Sequence, residues 1–160
     1  MSRLDSFIRR MTAQRDILNA VASQSLLPEK GDIFELGLGN GRTYSHLREK
    51  FPERRVIVFD RAVKAHSSCI PESENMVIGE ISETAKEYSG SDAALAHADI
   101  GSGSDEVDAI TLQWLPQLMA DLVATGGIAM SGLPLSHAKL EALPIPDSIE
   151  ENRYFLYRKI

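Results

Sequence analysis

The chain has 160 residues, 43% hydrophobic and 25% charged, with a formal net charge of −6. That length suits one domain with a proper core. The acidic balance, in which Arg9-Arg10 and Arg54-Arg55 are isolated basic pairs, argues against a nucleic-acid footprint. A single cysteine, Cys69, excludes an internal disulfide, and no apolar stretch is long enough to span a bilayer.

Leu4, Phe7, Ile8, Met11, Leu18, Val21 and Ala22 recur at helical spacing. This predicts an amphipathic helix over residues 3–25 that ends before Pro28. Its arginines fit a mitochondrial leader, but Asp5 and Asp16 do not, so a cytoplasmic location is expected. Gln14 and Arg15 fall on the apolar stripe. Either they sit at its edge with their stems snorkelling to water, or the helix caps a ligand site and Arg15 reaches a carboxylate there. Residues 1–30 then form a cap helix and turn on a single domain spanning 1–160.

Residues 31–44 read G-D-I-F-E-L-G-L-G-N-G-R-T-Y. A short apolar strand climbs into Gly37, Gly39 and Gly41, and a helix-compatible segment follows. Glycines admit positive φ and a close ligand, and the helix start offers unpaired N–H groups to an anionic or oxygen-rich partner. A dinucleotide fingerprint would need its third glycine at position 42, which is Arg42. Tyr44, Leu47 and Phe51 mark one face of the helix, and Arg55–Phe59 is a second apolar strand ending in Asp60.

Residues 61–74 read as an irregular or short helical link containing Cys69, to which no chemistry is assigned. Met76–Ile78 is a third strand, residues 82–88 a helix, and residues 92–98 a fourth strand ending at Asp99. A helix is predicted over 105–123, with Val107, Ile110, Trp114, Leu118 and Leu122 on its face. Pro116 should kink or split it, and Thr125-Gly126-Gly127 should stop it. Residues 128–130 form a fifth strand, residues 136–143 a short helix, and residues 154–157 a last strand. Alternating strands and helices imply an α/β fold, doubly wound, with a mostly parallel sheet and helices on both faces.

Glu35, Asp60, Glu80 and Asp99 all fall at strand C-terminal ends, which converge on one crevice. Asp60 lies about 20 residues past the glycine loop, where an acid accepts from ribose hydroxyls. His97 and Asp99 share a strand face, but no third ligand has metal-motif spacing, so no metal is expected. His97 reads as a satisfied core histidine. Trp114 reads as core and His137 as surface.

The ordered series E-L-G-L-G-N-G, V-I-V-F-D, V-I-G-E-I and A-H-A-D-I-G resembles the motifs of class I S-adenosylmethionine-dependent methyltransferases over residues 31–131. The resemblance implies S-adenosylmethionine as cofactor and an antiparallel last strand after a shortened hairpin. It implies that Gly37, Gly39 and Gly41, with Leu38 and Asn40 between them, cradle the methionine moiety and ribose, with Tyr44 just beyond. Glu35 would order that loop or bind the amino group. Asp60 would hold the ribose, Arg61 would flank the adenine, and Glu80 and Ile81 would edge it. Asp99 would lie beside the sulfonium and orient the acceptor or take its proton; His97, Tyr44 and His66 are the other base candidates. The acidic composition fits a small molecule or a protein as acceptor, a small molecule being favoured, and oligomeric state stays open. The rival readings are a non-catalytic S-adenosylmethionine-binding sensor and a nicotinamide-dependent oxidoreductase.

Overall fold

A computed structural model describes residues 1–160. Helix α1 spans Arg3–Ser23, and its start is fixed by a reciprocal capping box between Ser2 and Asp5. The elements β1 (Ile33–Leu36), α2 (Arg42–Lys50), β2 (Val56–Asp60), β3 (Met76–Ile78), α3 (Ile81–Thr84) and β4 (Ala93–Ala98) follow in order. The C-terminal half holds α4 (Asp105–Leu112), α5 (Leu115–Leu122), β5 (Val123–Ser131), β6 (Leu140–Ala142) and β7 (Phe155–Lys159).

The seven strands form one sheet in the order β3-β2-β1-β4-β5-β7-β6. Strands β1 to β5 are parallel, and β7 runs antiparallel to both β5 and β6. Strand order reverses between β1 and β4, so the crevice above their C-terminal ends is the natural ligand position.

Alternation along the strands divides the core in two. Phe34, Leu36, Ile57, Phe59, Ala96 and Ala98 pack with Leu115, Met119 and Leu122 of α5 on one face. Ile33, Val56, Val58 and Leu95 pack with Ile17, Leu18 and Val21 of α1 and Leu47 of α2 on the other. By the same alternation, Glu35 and His97 project from β1 and β4 toward the α1 face. They are register partners, which sets them side by side.

The C-terminal half departs from the sequence reading in two places, at residues 126–127 and 136–143. The helix expected over 105–123 is split as anticipated, with Pro116 in the first turn of α5. Proline's missing N–H costs nothing in a first turn. The glycines at 126 and 127 do not end a helix. They lie inside β5, where register slips between Ala93↔Val123 and Leu95↔Ile128 and Gly126 takes φ +82°. This is a bulge. Residues 136–143 are not helical: Leu140–Ala142 pairs with Lys159–Tyr157 as strand β6. Leu140 is buried while Glu141 and Ala142 are exposed, so pairing with a neighbour decides the conformation there.

Candidate functional site

A cleft of about 530 Å³ lies along the C-terminal ends of β1, β2, β3 and β4. Glu35, Asp60, Glu80 and Asp99 all line it, together with the loop from Gly37 to Gly41. Helix α1 forms one wall through Phe7, Arg10 and Met11, and Val107, Thr111 and Trp114 form part of another. The volume falls in the range of small-molecule and cofactor sites.

Asp60 organises the glycine loop. One of its carboxylate oxygens accepts from Leu38 N–H at 2.8 Å and from Gly39 N–H at 3.2 Å. The other accepts from Arg61 N–H at 2.6 Å. Glycine is required at 41, which takes φ +88°: a Cβ there would stand 2.5 Å from the Cys69 Cβ and 3.0 Å from its carbonyl oxygen. Gly41 precedes α2 with no side-chain cap, so the first amides of that helix remain free for a ligand. A Cβ on Gly39 would meet nothing within 4 Å, so the loop leaves open space above it.

The Glu35 side chain lines the cleft and bonds to His97 rather than to the loop. It is buried, and both its oxygens accept from His97 Nδ1, at 2.9 and 2.8 Å. His97 Nε2 lies 2.6 Å from the Tyr154 hydroxyl. Tyr154 immediately precedes β7, whose antiparallel course brings it back to the same sheet edge. A carboxylate only accepts, so Nδ1 carries the proton. Burial holds the Glu35 carboxyl above its ordinary value, although His97's charge and hydrogen bond pull it down. Burial alone would lower the His97 pKa. Glu35's charge and hydrogen bond, with Asp99's charge, outweigh that effect and hold it above 6.5. Burial, aided by the charges of Asp99 and Glu35, raises the Tyr154 hydroxyl well above its ordinary value.

A second chain of bonds fixes Asp99. Gln14 is buried and donates from Nε2 to Asp99 at 2.6 Å, while its Oε1 accepts from the Thr43 hydroxyl at 2.6 Å. Arg10 Nε lies 3.9 Å from the same Asp99 oxygen. At the opposite rim, Arg61 Nε and Glu80 are paired at 2.9 Å in an exposed ion pair.

The S-adenosyl-L-methionine methyltransferase family profile matches residues 1–159. The chain belongs to this family. A crystal structure of an S-adenosyl-L-methionine methyltransferase from Silicibacter pomeroyi DSS-3 is 36% identical to it. That match has a TM-score of 0.90 and covers 100% of this chain and 99% of that one. An SAH-bound methyltransferase from Podospora anserina is 10% identical, with a TM-score of 0.56 over 100% of this chain and 80% of its own. The antibiotic-resistance methyltransferase Kmr is 14% identical, with a TM-score of 0.56 over 88% and 93%. At such identities the likeness is one of fold alone. A comparison with curated proteins gives no match.

The cofactor of this methyltransferase is S-adenosylmethionine, and the cleft's own chemistry fits it. The uncapped helix start and the open backbone over Gly39 suit hydroxyl and carboxylate oxygens. No helix is long and apolar enough to cross a membrane.

Two expected cofactor residues lie outside the cleft. Arg15 is exposed and bonded to Asp16 at 2.8 Å. On α1 it is Arg10 that reaches the cleft, and Gln14 that turns inward. Tyr44 is buried in the core beside α1 and Leu47. Arg42 and Thr43 take the cleft-facing positions of α2, and one more residue rotates the side chain by about 100°. His66 is not at the cleft: its ring accepts from Ser68 N–H at the start of a 3-10 turn. Cys69 packs against Gly41. Trp114, expected in the core, packs against the core and also lines the cleft. His137 lies at the surface and pairs with Gln117.

The sequence reading missed the roles of Phe7, Arg10, Gln14 and Tyr154. A signal existed for three of them, because Phe7, Arg10 and Gln14 succeed one another at spacings of three and four, on one face of α1.

Proposed function

We propose that the protein transfers a methyl group from S-adenosylmethionine to a small-molecule acceptor held next to Asp99. The observation that carries this reading is the placement of Asp99 at the wall of the cofactor-sized cleft, held from behind by buried Gln14. When bound, S-adenosylmethionine would supply an activated methyl group to the acceptor's lone pair, its sulfur keeping the electron pair of the carbon–sulfur bond.

The chain's own residues then bind, orient and exclude water. Leu38, Asn40 and the three glycines form the floor, with the free amides of α2 beside them. Asp60 spends three of a carboxylate's roughly four acceptor positions on backbone N–H groups, and the remaining one takes a ribose hydroxyl. Glu80 and Ile81 border the adenine, and the exposed Arg61–Glu80 pair is weak enough to open for it. Asp99 accepts the hydrogen bond of the acceptor's N–H or O–H group and takes its proton. Gln14 and Thr43 are positioning residues that fix the direction of that carboxylate. Glu35 acts through His97 and Tyr154, and its buried row stiffens the floor beneath the reacting groups.

Incubation with methyl-labelled S-adenosylmethionine and fractionated bacterial extract tests this. Label should enter the small-molecule fraction. Label in the protein fraction alone would contradict the acceptor class, and transfer to neither would contradict methyl transfer itself.

A further inference from the structure

Beyond Asp99 a second cavity of about 440 Å³ opens between the start of α1, the turns after β4 and β5, and the turn before β7. It shares Phe7, Arg10 and Asp99 with the cofactor cleft, so the two spaces meet at Asp99. A molecule seated in it would lie next to the groups assigned above to the acceptor.

The charge of this cavity runs against that of the chain. Arg3, Arg10 and Arg153 line it, in a protein of net charge −6. Its two acids are already engaged. Asp108 accepts from the Ser102 N–H at 2.7 Å and from the Ser102 hydroxyl at 2.8 Å. Asp99 accepts from Gln14. The Arg3 side chain makes no hydrogen bond or ion pair, that of Arg10 only approaches Asp99 at 3.9 Å, and that of Arg153 is bonded to Ser6 alone. The Nε atoms of Arg10 and Arg153 are the two buried side-chain polar atoms of the chain that lack a hydrogen-bond partner. Buried donors are normally satisfied, so these two guanidinium groups hold N–H capacity that the chain itself leaves unused. Guanidinium N–H groups match the oxygens of a carboxylate or a phosphate.

Arg153 is also held in place, since its Nη2 donates to the Ser6 carbonyl and to the Ser6 hydroxyl on α1. Glycine at 132 permits the close wall around Asp99. A Cβ there would stand 3.3 Å from the Tyr154 ring and 3.5 Å from an Asp99 oxygen. Phe7 and Leu133 supply apolar surface between the charged groups.

We propose that this second cavity is the acceptor subsite and that the acceptor is a small anion, a carboxylate or a phosphate monoester, whose charge is held by Arg153 with Arg10 and Arg3. The inference rests on the methyl-transfer reading above. Arg10 borders both spaces and so serves both ligands, whereas Arg153 and Arg3 belong to the acceptor alone. The anionic group binds at the arginines, and the nucleophilic N–H or O–H group of the same molecule faces Asp99.

Calorimetric titrations of the full chain with benzoate, phenyl phosphate and neutral benzamide test this, with and without saturating S-adenosylhomocysteine. At least one anion should bind tenfold or more tightly than benzamide, and the stronger of the two identifies the anion class. R153Q should weaken that anion at least tenfold and leave S-adenosylhomocysteine affinity unchanged, while R153K should recover part of the loss. R3Q removes an exposed charge without touching the Ser6 contacts, and should weaken the anion several-fold. Benzamide binding as tightly as both anions, anion binding indifferent to R153Q and R3Q, or no anion binding to cofactor-loaded protein would overturn the acceptor assignment alone. Failure of S-adenosylhomocysteine itself to bind would overturn the methyl-transfer reading, and the acceptor assignment with it.

Discussion

Glu35→Gln probes the buried row most sharply. The side chains of Glu35 and His97 are 2% and 0% exposed, and Nδ1 reaches both carboxylate oxygens. Removing one partner of a buried ion pair costs about 3–5 kcal/mol when the other charge is stranded. Here His97 escapes by losing its proton, and the glutamine oxygen still accepts from Nδ1–H. What remains is the loss of a charge-assisted bond, about 1–3 kcal/mol. In a chain of this size that lowers Tm by about 2–12 °C.

The effect should depend on pH with a definite sign. His97 in the wild type has a folded pKa above 6.5. Its contribution is therefore fully present below pH 6.5 and is lost as pH rises through the folded value. The raised Glu35 pKa acts in the same direction, from 4.5 upward, and the two titrate as a coupled pair. In the variant, burial is the largest influence on His97 and is opposed only by the charge of Asp99, so it lowers the pKa and stability is lost instead as pH falls below 6.5. Urea denaturation of both proteins between pH 5.5 and 9, ranges chosen to bracket ordinary histidine titration, should show a gap that is widest at the acid end and closes as pH rises. Parallel curves, or a gap that widens with pH, would refute the charged Glu35–His97 pair.

Asp60→Ala strips the acceptor from the Leu38 and Gly39 amides, and calorimetry should show S-adenosylmethionine binding weakened by about 1–3 kcal/mol. Gly41→Ala places a Cβ against Cys69 at a left-handed φ and should lower unfolding free energy by about 1–3 kcal/mol, measured by denaturant titration. Gln14→Ala releases Asp99 and Thr43 at once. Steady-state kinetics with an acceptor in hand should show kcat reduced about 10- to 100-fold with S-adenosylmethionine affinity little changed.

The parallel half of the sheet was legible because its strands are continuous apolar runs and its site acids stand at their ends. Ile33–Leu36, Val56–Asp60 and Ala93–Ala98 announce themselves locally, and the glycine spacing marks the loop between β1 and α2. The Glu35–His97–Tyr154 row has no local signal. Its members lie 62 and 57 residues apart, and only strand register and the reversed course of β7 unite them. On α1, the difference between Arg10 and Arg15 is one of helical rotation. Arg10 follows Phe7 by three residues on the cleft side, while Arg15 turns outward to Asp16. Strand β6 was unreadable for a related reason: three residues pair there because β7 offers them an edge.

The central claim is that the cleft over the Gly37–Gly41 loop binds S-adenosylmethionine. Calorimetric titration of the folded protein with that cofactor tests it directly. Saturable binding of one molecule per chain is expected. Absence of binding at millimolar cofactor, in protein whose fold is verified by its thermal transition, would contradict it.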